Sequence, residues 1–185
     1  MNKIPESDAS LKILHWFLDY PSKEMSLTDL ATKLKISKST ATRIVSYFIN
    51  KRIIEKEVLG RIWRIKFNIK NSVNLILKIP YHLQLIYSSG IVDEVYKKIP
   101  EAKAVILFGS YRKGDDTENS DIDIAVEVLG NDDPKLIELE ILENLGYRKN
   151  VKVNIYKFSR NKIDINFFSN IVNGIVLSGF LEARP

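Results

Sequence analysis

The stretch Ala104–Phe108, AVILF, is a short unbroken apolar run, the pattern of a β-strand buried on both faces. A second such run, DIDIAVEV from Asp121 to Val128, carries charge in a regular rhythm. Strand alternation sends Asp121, Asp123, Ala125 and Glu127 to one face and Ile122, Ile124, Val126 and Val128 to the other. Carboxylates two residues apart on one face lie about 7 Å apart by strand rise, near enough to converge on one cation. Without a cation they repel, so the spacing points to a divalent ion, Mg²⁺ or Mn²⁺, held jointly with phosphate oxygens.

Between the two runs stand Gly109-Ser110 and then Arg112, Lys113 and Gly114. Gly109 at the strand end allows backbone N–H groups to come close to a phosphate, and the Ser110 hydroxyl and N–H can bond its oxygens. Arg112 and Lys113 add positive charge near a triphosphate, and Gly114 supplies a turn. An Asp-x-Asp alone is a weak signal, because a solvated strand end looks the same. Gly-Ser after one buried strand, followed by Asp-x-Asp opening the next, is far more selective and suits phosphoryl or nucleotidyl transfer.

The N-terminal part has a different character. Residues 1–75 hold 14 Lys and Arg against 7 Asp and Glu, +7, whereas residues 76–185 hold 14 against 16, −2. An excess confined to one end points to a module that meets a polyanion. LKILHWFLDY from Leu11 to Tyr20 has helical apolar spacing and is ended by Pro21. Ser26 with Asp29 forms a capping pattern for a short helix through Leu34, and Ser37 or Ser39 caps a third helix whose inner face is Ala41, Ile44, Val45 and Phe48. RIIEKEVLGRIWRIKF then gives two short runs rich in β-branched and aromatic residues around Leu59-Gly60-Arg61, the second alternating at Trp63, Ile65 and Phe67, which predicts a β-hairpin. His15, Trp16 and Trp63 read as core or near-core residues.

This order and spacing resemble a winged helix-turn-helix domain over about residues 8–70, a family in which the second helix of the pair enters the DNA major groove. The resemblance makes Ser37, Lys38, Ser39, Thr40, Thr42 and Arg43 the DNA-binding candidates, with Arg61 and Arg64 of the hairpin set to touch phosphates. A protein-docking or dimer role is the alternative for the same module.

Residues 71–99 predict a helical connector, with one helix around Leu83, Ile86 and Tyr87, a second around Ile91, Val95 and Tyr96, and breaks at Pro80 and at Ser88-Ser89-Gly90. His82 is isolated in the sequence and receives no chemistry. The absence of cysteine excludes disulfides and thiolate metal sites. The start MNKIPESDAS has no signal-type apolar core and no run approaches a membrane span, so the expectation is a cytoplasmic protein.

LFGSYRKGDDTENSDIDIAVEV resembles the signature of the DNA polymerase β-like nucleotidyltransferase superfamily, above all its small minimal branch, and FFSNIVNGIVLSGF is similar to that branch's terminal helix and turn. The two modules together look like archaeal-type two-domain proteins. The implied fold class is α+β: a winged helix over residues 1–70, the connector, and a nucleotidyltransferase domain with a mixed sheet over 100–185. The implied chemistry is attack by an acceptor hydroxyl on the α-phosphorus of an NTP, with two metal ions about 4 Å apart. Gly109, Ser110, Arg112 and Lys113 would hold the nucleotide, and Asp121 and Asp123 would be catalytic and bind the metal.

The family's third carboxylate is replaced. In NVKVNIYKF the expected position is Asn154, or Lys152 if the register slips by two. Asn can offer a carbonyl oxygen but cannot take a proton. Glu127 is about 13 Å along the strand from Asp123, and Asp164 has no place assigned by the sequence. Two readings follow: a transferase acting on a protein, nucleic acid or small molecule, or a DNA-binding regulator or antitoxin-like protein with a weak or inactive nucleotidyltransferase domain. The minimal branch implies a partner such as a toxin, and winged helices often pair, which implies a homodimer.

Overall fold

The computed structural model describes residues 7–60, 62–139 and 141–182. They fall into two compact units, one of residues up to 75 with 146–148, the other of 76–145 with those from 149 onward.

The first unit begins with α1 (Asp8–Asp19), whose N-cap Ser7 accepts the Ser10 N–H. After β1 (Met25–Ser26) come α2 (Leu27–Leu34) and α3 (Lys38–Asn50). Ser26 caps α2 by accepting the Asp29 N–H at 3.0 Å, and its hydroxyl donates to the Asp29 carboxylate at 2.7 Å. Such a cap contributes about 1 kcal/mol. Of the two candidate caps for α3 the structure uses Ser37, which accepts the Thr40 N–H at 3.1 Å. The hairpin is β2 (Ile54–Leu59) and β3 (Ile62–Phe67), and β1 pairs with β3 to give the antiparallel order β1-β3-β2. Trp16, Phe17, Leu30, Val45, Phe48, Ile65 and Phe67 are buried in this unit.

The second unit takes α4 (Ser72–Ser88) from Ile76 onward, then α5 (Ile91–Lys98), β4 (Ala104–Phe108), α6 (Gly109–Lys113) and β5 (Ile122–Val128). It continues through β6 (Lys135–Glu138), β7 (Leu142–Leu145), β8 (Arg148–Val151) from Lys149 onward, β9 (Val153–Ser159), α7 (Ile165–Val172) and β10 (Ile175–Gly179). Five strands form a mixed sheet in the order β10-β4-β5-β9-β6, in which only β5 and β9 are parallel. β7 and β8 form a separate ribbon. One face of the sheet buries Val105, Leu107, Ile122, Ile124 and Val126 with Ile86 of α4, Ile91 and Val95 of α5, and Ile99 just after α5. The other face buries Ala104, Ile106, Phe108 and Ala125 with Ile171 of α7. Asp121 and Asp123 are in phase with Ala125, so they belong to the α7 side.

Two expectations need correction. Pro80 does not break α4. A proline inside a helix removes one hydrogen bond, at about 3 kcal/mol; here it is flanked by the buried side chains of Lys78, Tyr81, His82 and Ile86, and tertiary packing outweighs the local preference. Of residues 71–99, expected as a helical connector, Ile86, Ile91, Val95 and Ile99 are buried in the core of the second unit. The final segment is a helix and a strand, not a helix and a turn, since β10 pairs antiparallel with β4. Gly174 joins them where a Cβ would stand 2.5 Å from Ile106 Cγ2 and 2.7 Å from the Leu107 carbonyl oxygen, a gap that only glycine fits. No helix among the described residues is long and apolar enough to cross a membrane.

Candidate active site

The antiparallel register sets Phe108 opposite Asp123, so the end of β4 delivers Gly109 directly beside the second acid. Gly109 has φ +71°, and a Cβ built there would lie 2.6 Å from Asp123 Oδ2. Both the backbone conformation and the close approach therefore require glycine. Gly109→Ala is expected to lower stability by about 2 kcal/mol and to displace Asp123, measurable as a lower thermal midpoint with loss of any ligand that depends on that carboxylate.

From Gly109 the chain winds into the short helix α6 with Ser110, Tyr111, Arg112 and Lys113, closed by Gly114 in the left-handed conformation. The Gly114 N–H donates to the Ser110 carbonyl at 2.8 Å. Tyr111 faces the core, while Ser110 and Arg112 are half-buried and Lys113 is exposed. A cavity of about 250 Å³ beside this turn is lined by Phe108, Gly109, Arg112, Lys113, Asn170 and Asn173.

The parallel register pairs Asp123 with Asn154 of β9, and this removes the alternative at Lys152, which is exposed. Asn154 Nδ2 donates to Asp123 Oδ1 at 3.2 Å and lies 3.5 Å from Asp121 Oδ2. Burial pushes the Asp123 carboxyl above the usual carboxylate range; the Asn154 hydrogen bond opposes this and the Asp121 charge adds to it. Two carboxylates joined through one amide form a donor set of oxygens that suits a hard divalent cation, if the amide turns its carbonyl inward. The residues fit such an ion. Among the described residues no group of three or more His, Cys, Asp or Glu gathers as a metal site, so the pair and the amide are what this chain offers.

The remaining acids are engaged elsewhere. Glu127 is buried and accepts from Arg160 at 3.0 and 2.7 Å, and Asp164 caps α7 by accepting the Asn166 and Phe167 N–H groups. Neither approaches the role of a third carboxylate. Sequence reasoning missed a buried group behind the turn: Lys78 and His82 of α4 meet Asp116 in the loop between α6 and β5. The signal for it lay in LILKIPYHL, where a lone cation and a histidine stand four apart in an apolar helix, in phase with buried Ile86.

In the first unit Ser37, Lys38, Ser39 and Arg43 are exposed, and Thr40 and Thr42 half-buried, around the N-terminal half of α3. Several hydroxyls are already used locally: Ser37 donates to Thr40 Oγ1 at 2.8 Å and Thr42 to the Lys38 carbonyl at 2.8 Å. A groove between the starts of α2 and α3 and strand β3 is lined by Thr28, Asp29, Lys38, Thr42, Ile62 and Trp63. Arg64 pairs with Glu24 at 3.6 Å, and Arg61 lies outside the described residues.

Among relatives, a Methanocaldococcus jannaschii protein described as "Putative protein adenylyltransferase" is 41% identical over 63 residues, 34% of this chain and 63% of that protein's length. Among solved structures, the "Possible transcriptional regulator from Methanosarcina mazei Go1" is 23% identical, covers 53% of this chain and 80% of its own, and superposes with a TM-score of 0.35. Residues 91–179, which include β4, α6, β5 and the aspartate pair, match the family described as "Polymerase beta, Nucleotidyltransferase".

Proposed function

We propose that the second unit transfers an NMP from a Mg²⁺- or Mn²⁺-bound NTP to an acceptor hydroxyl, at a site built from Gly109, Ser110, Asp121 and Asp123. The observation that carries this is the contact of Gly109 with Asp123, which leaves no side chain between the turn and the acid pair. Gly109 and Ser110 hold phosphate oxygens through backbone N–H groups and the Ser110 hydroxyl, and Arg112 and Lys113 balance the remaining charge. Asp121 and Asp123 hold the divalent ion. The ion supplies neutralisation of phosphate charge when bound. The acceptor oxygen forms a bond to the α-phosphorus while the bond to the pyrophosphate oxygen breaks, and the acceptor's proton passes to solvent, since Asn154 cannot take it. A protein acceptor is the first class to test, in keeping with the name of the adenylyltransferase relative. Calorimetric titration with Mg–NTPs should show binding in the wild type that Asp121→Ala removes; absence of binding for every NTP would sink the reading.

A second reading draws on Asn154. With an amide in the third position, chemistry is slow and the domain serves as a nucleotide-responsive part of a DNA-binding regulator or an antitoxin-like protein. We assign the first unit as a winged helix, supported by the order of its three helices and hairpin and by the +7 charge of residues 1–75. Arg64 is partly neutralised by Glu24, so α3 carries the DNA contact. Lys38→Ala is expected to weaken binding to all duplexes and reduce the salt slope by about 1, and Arg43→Ala to cost about 1–3 kcal/mol on a preferred sequence only. Fluorescence anisotropy at moderate salt checks both. Unchanged affinity in the two variants removes the major-groove assignment.

A further inference from the structure

We propose that Lys78, His82 and Asp116 form a buried clamp that sets the geometry of the phosphate-binding turn, with His82 as its positioning residue. The inference rests on the reading that Gly109–Lys113 holds nucleotide phosphates. Lys78, His82 and Asp116 are 0%, 2% and 4% exposed, a burial that charged side chains tolerate only when paired. Lys78 Nζ lies 2.8 Å from Asp116 Oδ1 and donates to the Asp116 carbonyl at 2.7 Å, so one ammonium holds both the side chain and the backbone of a single loop residue. His82 Nε2 lies 3.5 Å from the same Oδ1, and Nδ1 is 3.0 Å from the Tyr111 carbonyl oxygen. The His82 and Tyr111 rings pack at 4.4 Å between centroids.

Each contact acts on a different part of the site. The carbonyls in the last turn of a helix have no intrahelical donor, and in the five-residue α6 that of Ser110 is met by Gly114 while that of Tyr111 meets His82. His82 thus completes the end of the helix that begins with Gly109 and Ser110. Beyond Asp116 the loop closes on itself, since Thr117 N–H donates to Ser120 Oγ at 2.9 Å and Ser120 N–H to the Thr117 carbonyl at 3.1 Å. Ser120 directly precedes Asp121. Side chains one turn apart on α4 therefore fix both the phosphate turn and the segment that delivers the first aspartate.

Two substitutions separate positioning from simple packing. His82→Asn keeps an amide donor near the place of Nδ1, whereas His82→Gln carries its amide out toward the place of Nε2 and gives up the Tyr111 carbonyl. Both lose the ring, so both should lower the thermal midpoint to a similar degree. The dissociation constant for Mg–ATP should rise about tenfold in His82→Gln, the value of one lost hydrogen bond, and change less than about threefold in His82→Asn. Where the wild type binds Mg–ATP, equal affinities in the two variants overturn the proposal. Amide hydrogen exchange of nucleotide-free protein gives an independent arm: exchange at Gly114, whose N–H closes α6, should quicken in His82→Gln and not in His82→Asn. Unchanged exchange in both variants overturns the clamp, while quickened exchange in His82→Gln alone, together with a wild type that binds no Mg–ATP, overturns the nucleotide reading and leaves the clamp standing.

Discussion

Asn154→Asp is expected to raise affinity for Mg²⁺ by about 10- to 100-fold and to destabilise the metal-free protein by about 1–2 kcal/mol. Both effects come from one contact. The Asn154 amide donates to Asp123 at 3.2 Å and sits 3.5 Å from Asp121, so it screens the two carboxylates from each other in the absence of a cation. A third carboxylate in that place turns an attraction into two repulsions, and in the half-buried setting of Asp123 these are poorly screened by water. A divalent ion reverses the balance, because three anionic oxygens then share one dication. Saturating Mg²⁺ at about 100 times the dissociation constant stabilises the bound form by about 2.7 kcal/mol, enough to recover the loss. Thermal melts of wild type and variant with and without Mg²⁺ should therefore cross: the variant melts lower without the ion and at least as high with it. A variant that melts like the wild type in both conditions would show that no cation binds between β5 and β9.

Asp123→Asn should act in the opposite sense, abolishing Mg–NTP binding while stabilising the metal-free fold by about 1 kcal/mol at neutral pH. Burial, with Asp121 adding to it, raises the Asp123 carboxyl above its ordinary 3.8. A raised carboxyl pKa means that the folded chain keeps its proton to a higher pH than the unfolded chain does. Ionised Asp123 therefore subtracts from stability above the folded pKa, and the penalty fades as pH falls through that value toward 3.8. The advantage of Asp123→Asn should be full at neutral pH and vanish in acid. Metal binding follows the same titration, since the ion must displace the proton, so Mg²⁺ affinity should begin to fall at a higher pH than an unperturbed aspartate would give. Denaturant melts between neutral and acid pH check the first statement, and Mg²⁺ titrations over the same range the second.

The parts of this site that could be read from the chain are those in which a local pattern determines a local geometry. Alternation in DIDIAVEV placed both acids on one face, and the Gly-Ser step after AVILF marked the turn beside them. The helices of the first unit were legible because apolar spacing and serine caps agree, down to Ser26 with Asp29. What could not be read depends on pairing distant in sequence. β10 has Ile175 and Val176 partly uncovered and glycines on both sides, so only its ladder with β4 makes it a strand. The strands β6, β7 and β8 are four residues each, too short to show a period, and at least half of each is polar. The local rule makes Pro80 a break, and the packing around it overrides that rule. His82 looked isolated because its partners, Tyr111 and Asp116, lie about thirty residues away in the sequence.

Transfer of label from α-labelled NTP, with Mg²⁺ or Mn²⁺, to the protein itself and to cell extract tests the central claim most directly. The account predicts labelled product with the wild type, more with Asn154→Asp, and none with Asp121→Ala; the labelled species then identifies the acceptor class. Absence of label from both the wild type and Asn154→Asp would contradict it, and the paired aspartates would have to be explained without nucleotidyl transfer.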